Sequence, residues 1–432
     1  MRNSTLIPLL AALSLLAVAP CARALPDNGA LTLDEAVQMA VGSNPAALAA
    51  EQDIIIAKQR VKEARFMSLP QFSLSGTASR ANLSYPSVLG PEMDERYLDP
   101  AISNSFYTLR VAALQPLYAG GKNDNTLKLA KTASNQAKVN YETARSDAAM
   151  AAKRSFYKVL YRRRLKKAAE EWLARAAALD PDALKDPLEA IEARALLAGL
   201  SARVRASASE LDSAMAELLR LINREPGYRL KIEGELELLP VTDGVSQNLV
   251  TAMESRPDLK SEMYKAQMDD IAVSMALVRR NPTIYLGASY DANAYKPSAL
   301  TDSAERSDNW VASLAIHFPL SYDIWTQVRQ RKAQQRQGEL KRVELQDKIR
   351  FEILAAHKEA LFEQDEAEKR KDELERLKED YKTAASSART PLSELRAIRA
   401  VSEMERGCLQ AVYRQLIARV RLEWAQGRDL PR

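Results

Sequence analysis

Pro70-Gln71-Phe72-Ser73-Leu74-Ser75-Gly76-Thr77-Ala78-Ser79 and Pro282-Thr283-Ile284-Tyr285-Leu286-Gly287-Ala288-Ser289-Tyr290-Asp291 are one pattern written twice. In the first, apolar or small residues hold the even positions and polar ones the odd. In the second, Ile284, Leu286, Ala288 and Tyr290 share a face opposite Thr283, Ser289 and Asp291. Alternation over about 8 to 10 residues marks a strand with one face buried and one wet. Each copy also has a returning strand, carrying Tyr107, Leu109, Val111 and Ala113 in one and Trp310, Ala312, Leu314 and Ile316 in the other. Such strands suit a soluble antiparallel sheet, or a membrane barrel with its apolar side to lipid and its polar side to the lumen. Tyr85, Tyr107, Tyr295 and Trp310 near the strand ends favour the barrel, since aromatic rings settle at the membrane interface.

Working outward, the proline markers repeat. Pro45 to Pro70 spans 25 residues, and so does Pro257 to Pro282. Leu114-Gln115-Pro116-Leu117 matches His317-Phe318-Pro319-Leu320. Pro116 to Pro187 is 71 residues and Pro319 to Pro391 is 72. Only the stretch between Pro70 and Pro116, 46 residues against 37 in the second copy, differs, which places the change in one loop. A fixed internal period of this kind decides the architecture before any local signal does. The chain is a duplication of helix, strand, strand, long helix, helix.

The helical pattern covers residues 34–68, 123–178 and 188–222 in the first copy, and 246–280, 324–383 and 392–425 in the second. The two long helices would each reach roughly 85 to 90 Å, more than a compact soluble domain uses. Along the first, Ala130, Ser134, Ala137, Tyr141, Ala144, Ala148, Ala151 and Ser155 step by four and three, a seam of mostly small residues that lets helices approach closely. Residues 223–244, with Tyr228, Leu230, Ile232, Leu236 and Leu238, read as short strands packed outside the helices. The expected organisation is a signal at 1–24, a first repeat at 25–222, a junction at 223–245 and a second repeat at 246–432. Strands are expected near 70–82, 105–117, 282–294 and 309–320. The fold class is mostly α with a small membrane β-barrel part.

Composition agrees. Of 432 residues only 14 are glycine, and alanine, leucine and charged residues dominate, which favours long helices. Charged residues at 28% and a mean hydropathy of -0.32 exclude a polytopic helical membrane protein. Met1 to Ala24 has the form of a secretory signal, with Arg2 at its start, an apolar stretch from Leu6 to Ala19 and Ala22-Arg23-Ala24 as a small-x-small cleavage site. A membrane anchor needs about 20 apolar residues, and this run is shorter and broken by Pro8. Cys21 invites a lipid-modified start, but Pro20 precedes it where such processing takes a small residue, so the mature chain is expected to begin at Leu25. Losing Arg2 and Arg23 lowers the net charge from +5 to +3, and Cys408 is left as a single thiol, read as buried and inert.

Two copies of this layout behind a signal peptide resemble the TolC family of outer-membrane channels. The local phrases are similar too: Leu31-Thr32-Leu33-Asp34-Glu35-Ala36, Asn44-Pro45, Gln115-Pro116-Leu117-Tyr118-Ala119-Gly120-Gly121 and Ser255-Arg256-Pro257-Asp258-Leu259. The resemblance implies a homotrimer whose four strands per chain complete a twelve-stranded barrel in outer-membrane lipid, over a helical tunnel through the periplasm. It further implies a passive exit duct of a tripartite efflux pump or type I secretion system, coupled through a periplasmic adaptor (membrane fusion) protein to an inner-membrane transporter. The requirement for partner copies also follows from physics, because four strands leave open edges and even the smallest lipid-embedded barrels use about eight.

By the same resemblance the tunnel is gated at the helical hairpin tips. Ser387-Ala388-Arg389-Thr390 falls where some members carry Gly-Thr-Arg-Thr, Ala183-Leu184 at a Gly-Leu tip, and Glu189 where an acidic partner lies. Arg389 is expected to be held by Glu189 or Asp186. The chain departs from the family where Ala183 and Ser387 replace tip glycines, where Ser393 and Arg396 hold the positions of acidic constriction rings, and where the turn at 321–325 lacks the glycine pair Gly120-Gly121.

No enzyme site is legible. His317 and His357 are the two histidines, without zinc-ligand spacing; neither a nucleophile turn nor a phosphate loop is present. The expectation is no catalytic site, no cofactor and no metal. Arg162-Arg163-Arg164 and Lys166-Lys167 read first as a solvated helix face, second as a contact for a partner or peptidoglycan, and nucleic acid is not an expected partner. The competing class is a soluble periplasmic coiled-coil adaptor or scaffold, which requires the alternating strands to form a soluble sheet.

Overall fold

The computed structural model describes residues 30–80, 105–180, 184, 186–228, 230–320, 322–385 and 390–428. The expected signal at 1–24, Cys21 and Tyr85 lie outside them, as do Ala183, Ser387 and Arg389 of the expected tip.

The first repeat runs α1 (Leu33–Ser43), α2 (Pro45–Phe66), β1 (Gln71–Arg80), β2 (Ser105–Tyr118), α3 (Lys122–Ala177) and α4 (Pro187–Leu221). The second runs α5 (Val245–Ser255), α6 (Pro257–Val278), β3 (Thr283–Ala294), β4 (Ser307–His317), α7 (Asp323–Ala385) and α8 (Pro391–Ala425). A short 3-10 turn, Pro297–Thr301, links β3 to β4. At 56 and 63 residues, α3 and α7 extend about 84 and 95 Å.

The sequence reading differs from the structure at the start of each repeat. The helices read as continuous over 34–68 and 246–280 are each two helices, broken at Asn44-Pro45 and Arg256-Pro257. A proline ring forces the preceding residue out of the α region, and both Asn44 and Arg256 stand at ψ 123°. Proline then serves as the first residue of the next helix, where its missing N–H costs nothing. The junction differs too. Residues 223–244 form no strand among the described residues, only a single bridge between Leu31 and Ile232. They lie extended over the helices, with Leu230 and Ile232 in a core beside Phe156, Val159 and Leu218, and Leu236, Leu238 and Leu239 against Ala411 and Leu416.

That covering segment accounts for part of the basic run. Arg163 donates to the Ile232 and Gly234 carbonyls, pinning the junction to α3. Arg162 pairs with Glu210, Arg164 reaches Glu171 and Glu405, and Lys166 pairs with Glu170 at 3.7 Å. The solvated-face reading is therefore corrected for these arginines: they join α3 to the junction, α4 and α8.

Within each repeat the long helix packs on its neighbours, α3 on α1, α2 and α4, and α7 on α5, α6 and α8. Across the repeats, α3 also packs on α6 and α8, and α4 on α8. Ser134, Ala148 and Ser155 of the small-residue seam are buried, and Ser261 of α6 donates to Asn140 at 2.9 Å. The turn from β2 to α3 shows why it needs glycine: Gly120 and Gly121 have φ of 63° and 90°, and a Cβ on Gly121 would stand 2.8 Å from Val278. His357, on α7, is buried beside Asn248 of α5, 3.2 Å away.

Candidate functional site

The four strands form one antiparallel sheet in the order β1-β2-β3-β4, so the two repeats join through β2 and β3. Register carries residues of one kind across all four. Leu74, Val111, Tyr290 and Trp310 make one row, and Phe72, Ala113, Ala288 and Ala312 another. These rows lie on one face. On the other, Ser75, Arg110, Asp291 and Asn309 make a row, as do Thr77, Thr108, Asn293 and Ser307.

The apolar face is uncovered. Phe72 and Trp310 are each 77% exposed and Leu74 is 72% exposed, a contiguous surface that water does not tolerate at this size. The polar face is organised by its own bonds: Arg110 Nε and Nη2 donate to Asp291 at 2.5 and 3.0 Å, and Thr108 donates to Asn293 at 2.9 Å. A 10-residue strand tilted as in a barrel stands about 25 Å tall, the height of a lipid-facing band. His317 lies on the polar face, opposite Thr283. Among the described residues no helix is long and apolar enough to cross a membrane. Among the described residues, β1 and β4 each have one unpaired edge.

At the far end of the long helices, the α3–α4 and α7–α8 hairpins share a core. Trp172, Leu200, Leu374, Leu395, Ile398 and Val401 are buried in it, with the partly buried Leu184 packed against them. Asp186 caps α4, accepting from the Leu188 N–H at 2.9 Å. Thr390 caps α8 through the Ser393 N–H at 3.3 Å, and the Ser393 hydroxyl returns a bond to the Thr390 carbonyl at 2.7 Å. These expected tip residues thus hold the helix starts. Glu189 occupies the first turn of α4; the Arg396 guanidinium is raised chiefly by its hydrogen bond to Glu192 and only slightly by the charge of Glu189.

Arg396, at an expected constriction position, makes a bidentate pair with Glu192, Nε to Oε1 at 2.9 Å and Nη2 to Oε2 at 2.6 Å. The hydrogen bonds from Arg396 hold the Glu192 carboxyl below its ordinary range. Deeper in the same core lies Glu405, 4% exposed. It accepts from Trp172 Nε1 at 2.5 Å and from Lys378 Nζ at 2.7 Å. Burial alone would push the Glu405 carboxyl above its ordinary range, but the bonds from Lys378 and Trp172 outweigh it and leave the carboxyl below that range. Sequence reasoning missed Glu192 and Glu405. Each stands among other charges at ordinary helix-surface spacing, and the partner of Glu192 is 204 residues away.

Residues 36–179 match the sequence profile of the outer membrane efflux protein family. No curated protein sequence matches the chain. Solved structures do. The outer membrane protein VceC of Vibrio cholerae has 16% identity and a TM-score of 0.72, covering 91% of this chain and 96% of its own. The CmeC outer membrane channel of Campylobacter jejuni has 16% identity and a TM-score of 0.71, with 92% and 86% covered. The MtrE outer membrane channel of Neisseria gonorrhoeae, solved in an open state, has 17% identity and a TM-score of 0.71, with 91% and 88% covered. The TolC-family resemblance carried by the sequence is thus borne out, by the family profile through most of the first repeat and by the fold across nine-tenths of the chain.

Proposed function

We propose that this chain is one subunit of a homotrimeric exit duct in the outer membrane, serving a tripartite efflux pump or a type I secretion system. The observation that carries the reading is the sheet: one uninterrupted apolar face, one polar face, and two open edges. A soluble adaptor or scaffold would have to cover Phe72, Leu74 and Trp310, and nothing among the described residues does so. Lipid covers them without cost, provided other copies close the edges. Three copies supply twelve strands, and the long helices continue the lumen into the periplasm.

The duct is passive in this reading, with a periplasmic adaptor and an inner-membrane transporter supplying the energy. The hairpin tips form its periplasmic gate, in which Arg389 is held by Glu189 or by Asp186, whose second carboxylate oxygen is not used by the cap. The test is fractionation followed by light scattering. The protein should stay with the outer membrane after salt washing and run as a trimer in mild detergent. Release by salt as a monodisperse monomer would sink the proposal.

A further inference from the structure

The duplication is also a ruler. Pro70 corresponds to Pro282, 212 positions on, and Pro116 to Pro319, 203 positions on. Applied to the first hairpin, these offsets carry Gln71 opposite Leu114 onto Thr283 opposite His317, and Ser75 opposite Arg110 onto Gly287 opposite Ser313. Both second-hairpin pairings are those observed. The offsets therefore transfer register without a slip. Helix packing obeys the same operation: α3 on α1, α2 and α4 becomes α7 on α5, α6 and α8.

The contacts between repeats have no counterpart within the chain. β2 pairs with β3, and the operation turns this into β4 pairing with β1 of another copy. Arg110 opposite Asp291 becomes Ser313 opposite Ser79, and Val111 opposite Tyr290 becomes Leu314 opposite Ala78. Lipid-facing residues meet lipid-facing residues, although this agreement was not imposed; a one-residue slip would break it. At the barrel's lower rim, Gly120 and Gly121 press on Asn281 and Val278. The same operation brings 323 and 324 onto Leu69 and Phe66. Ile324 itself is packed against Ala276 and Val328 within the chain, but the residues just before it are open, Leu320 and Tyr322 at 94% and 98% exposure, as are Phe66 and Leu69 at the other end, at 59% and 52%.

At the tip, Pro187 corresponds to Pro391, 204 positions on, so Glu192 and Arg396 occupy the same place in the two repeats. Their contact inside the chain maps onto a contact between Arg396 and Glu192 of the partner subunit.

We propose that copies of this chain join by repeating the internal seam, with Ser313 of β4 opposite Ser79 of the partner subunit, and with Glu192 and Arg396 alternating around a six-membered charge ring at the tip. The inference rests on the trimeric reading above. It replaces the acidic ring of the resembling family with one whose charges cancel. The ring is closed by opposite charges across every helix boundary, within and between subunits, so no single charge type faces the substrate.

The seam is tested in full-length protein with Cys408→Ala, Ser79→Cys and Ser313→Cys. Directly opposed side chains stand about 5 Å apart at Cβ, so a short bis-thiosulfonate reagent should give a reducible three-chain species. Ser75→Cys with Ser313→Cys, four residues off register and therefore about 14 Å apart, should give none. Linking through Ser75→Cys instead would overturn the register. A trimer by light scattering that links at neither pair would overturn the seam but keep the trimeric reading, whereas a monomer would remove that reading itself. For the ring, Glu192→Arg should lower the trimer fraction at low salt several-fold, and adding Arg396→Glu should restore it. A double variant no better than the single one would overturn the alternation.

Discussion

α3 and α7 hold the same place in the two repeats, and their surroundings differ. α3 is packed on both sides, by α2 and α4 of its own repeat and by α6 and α8 of the other. Its apolar residues are accordingly enclosed, with Phe156 at 2% exposure and Val159 at 1%. α7 buries one stripe, Ile349, Ile353, Ala356 and Ala360, against α5 and α8. Its other side leaves Leu340, Val343, Phe351, Leu354 and Phe362 in the open, at spacings of a second helical face. One sequence plan thus produces a helix enclosed inside the chain and a helix with one apolar face open. Local propensity does not distinguish them; in the trimer proposed above, position in the ring does.

The sharpest way to break this comparison is to charge each helix at its apolar face. Phe351→Asp should leave the monomer's helix content intact and abolish the trimer altogether, measured by light scattering and circular dichroism, because a carboxylate in a closely packed helix seam is left without a partner. Phe156→Ala should do the reverse. It should cost about 3–5 kcal/mol of chain stability through the cavity it leaves without changing which surfaces meet. If Phe351→Asp were still trimeric, the exposed stripe would not be a subunit contact.

A second contrast lies at the helix breaks. Asn44 caps α2 with its own side chain, accepting from the Ala46 and Ala47 N–H groups at 2.8 and 3.2 Å. Arg256 makes no such cap. It is 6% exposed, bonds Asp258 and Glu352 at 2.7 and 2.8 Å, donates to the Ala425 carbonyl and stacks on Trp424. Arg256→Ala should therefore cost about 3 kcal/mol, the range for breaking a buried pair, while Asn44→Ala should cost about 1 kcal/mol, the usual value of a lost cap. Thermal melts of the two variants would decide it, and equal losses would mean that Arg256 only marks the turn.

Much of this was legible in the sequence, for physical reasons. Strand and helix periods survive because burial is periodic, and Pro70, Pro116, Pro282 and Pro319 punctuate them. The breaks at Asn44 and Arg256 carried the right signal in Pro45 and Pro257, but amphipathic pattern continues through a proline at the first position of a helix, so each pair of helices read as one. The contacts of Glu192, Glu405 and Arg163 could not be found. Their partners come from helices or segments distant in sequence, and a charged residue on a helix gives no local sign of which neighbour it meets. The expectation for Arg389 stays where the sequence left it, since that residue lies outside the described chain.

Glu405 tests the tip core of the shared hairpins. Its folded carboxyl is held below the ordinary range, so its contribution is present above the unfolded value of about 4.3 and is lost as pH falls through the folded one. Glu405→Gln should lower stability by about 2 kcal/mol at neutral pH, less than a fully enclosed pair because Lys378 keeps 35% of its side-chain exposure. The difference between wild type and variant should narrow in acid. A pH-independent difference would mean that the carboxylate charge is not what Lys378 and Trp172 hold.

The smallest expected energy belongs to the proposed gate. An exposed ion pair is worth about 0 to 1 kcal/mol, so a single contact from Arg389 to Glu189 or Asp186 is a weak latch. In the proposed trimer three-fold symmetry would repeat it, and tips that move together would have to release every copy at once. Arg389→Ser should raise single-channel conductance in planar bilayers while leaving the trimer's detergent stability unchanged. Glu189→Gln on that background should add little if the two residues are partners, since removing either end of one contact removes it once. Full additivity would keep the latch and assign its acidic end elsewhere, with Asp186 next to be replaced, by asparagine so that the cap on Leu188 survives. Unchanged conductance in Arg389→Ser would leave the tip held by its shared apolar core and the Glu192–Arg396 pair alone.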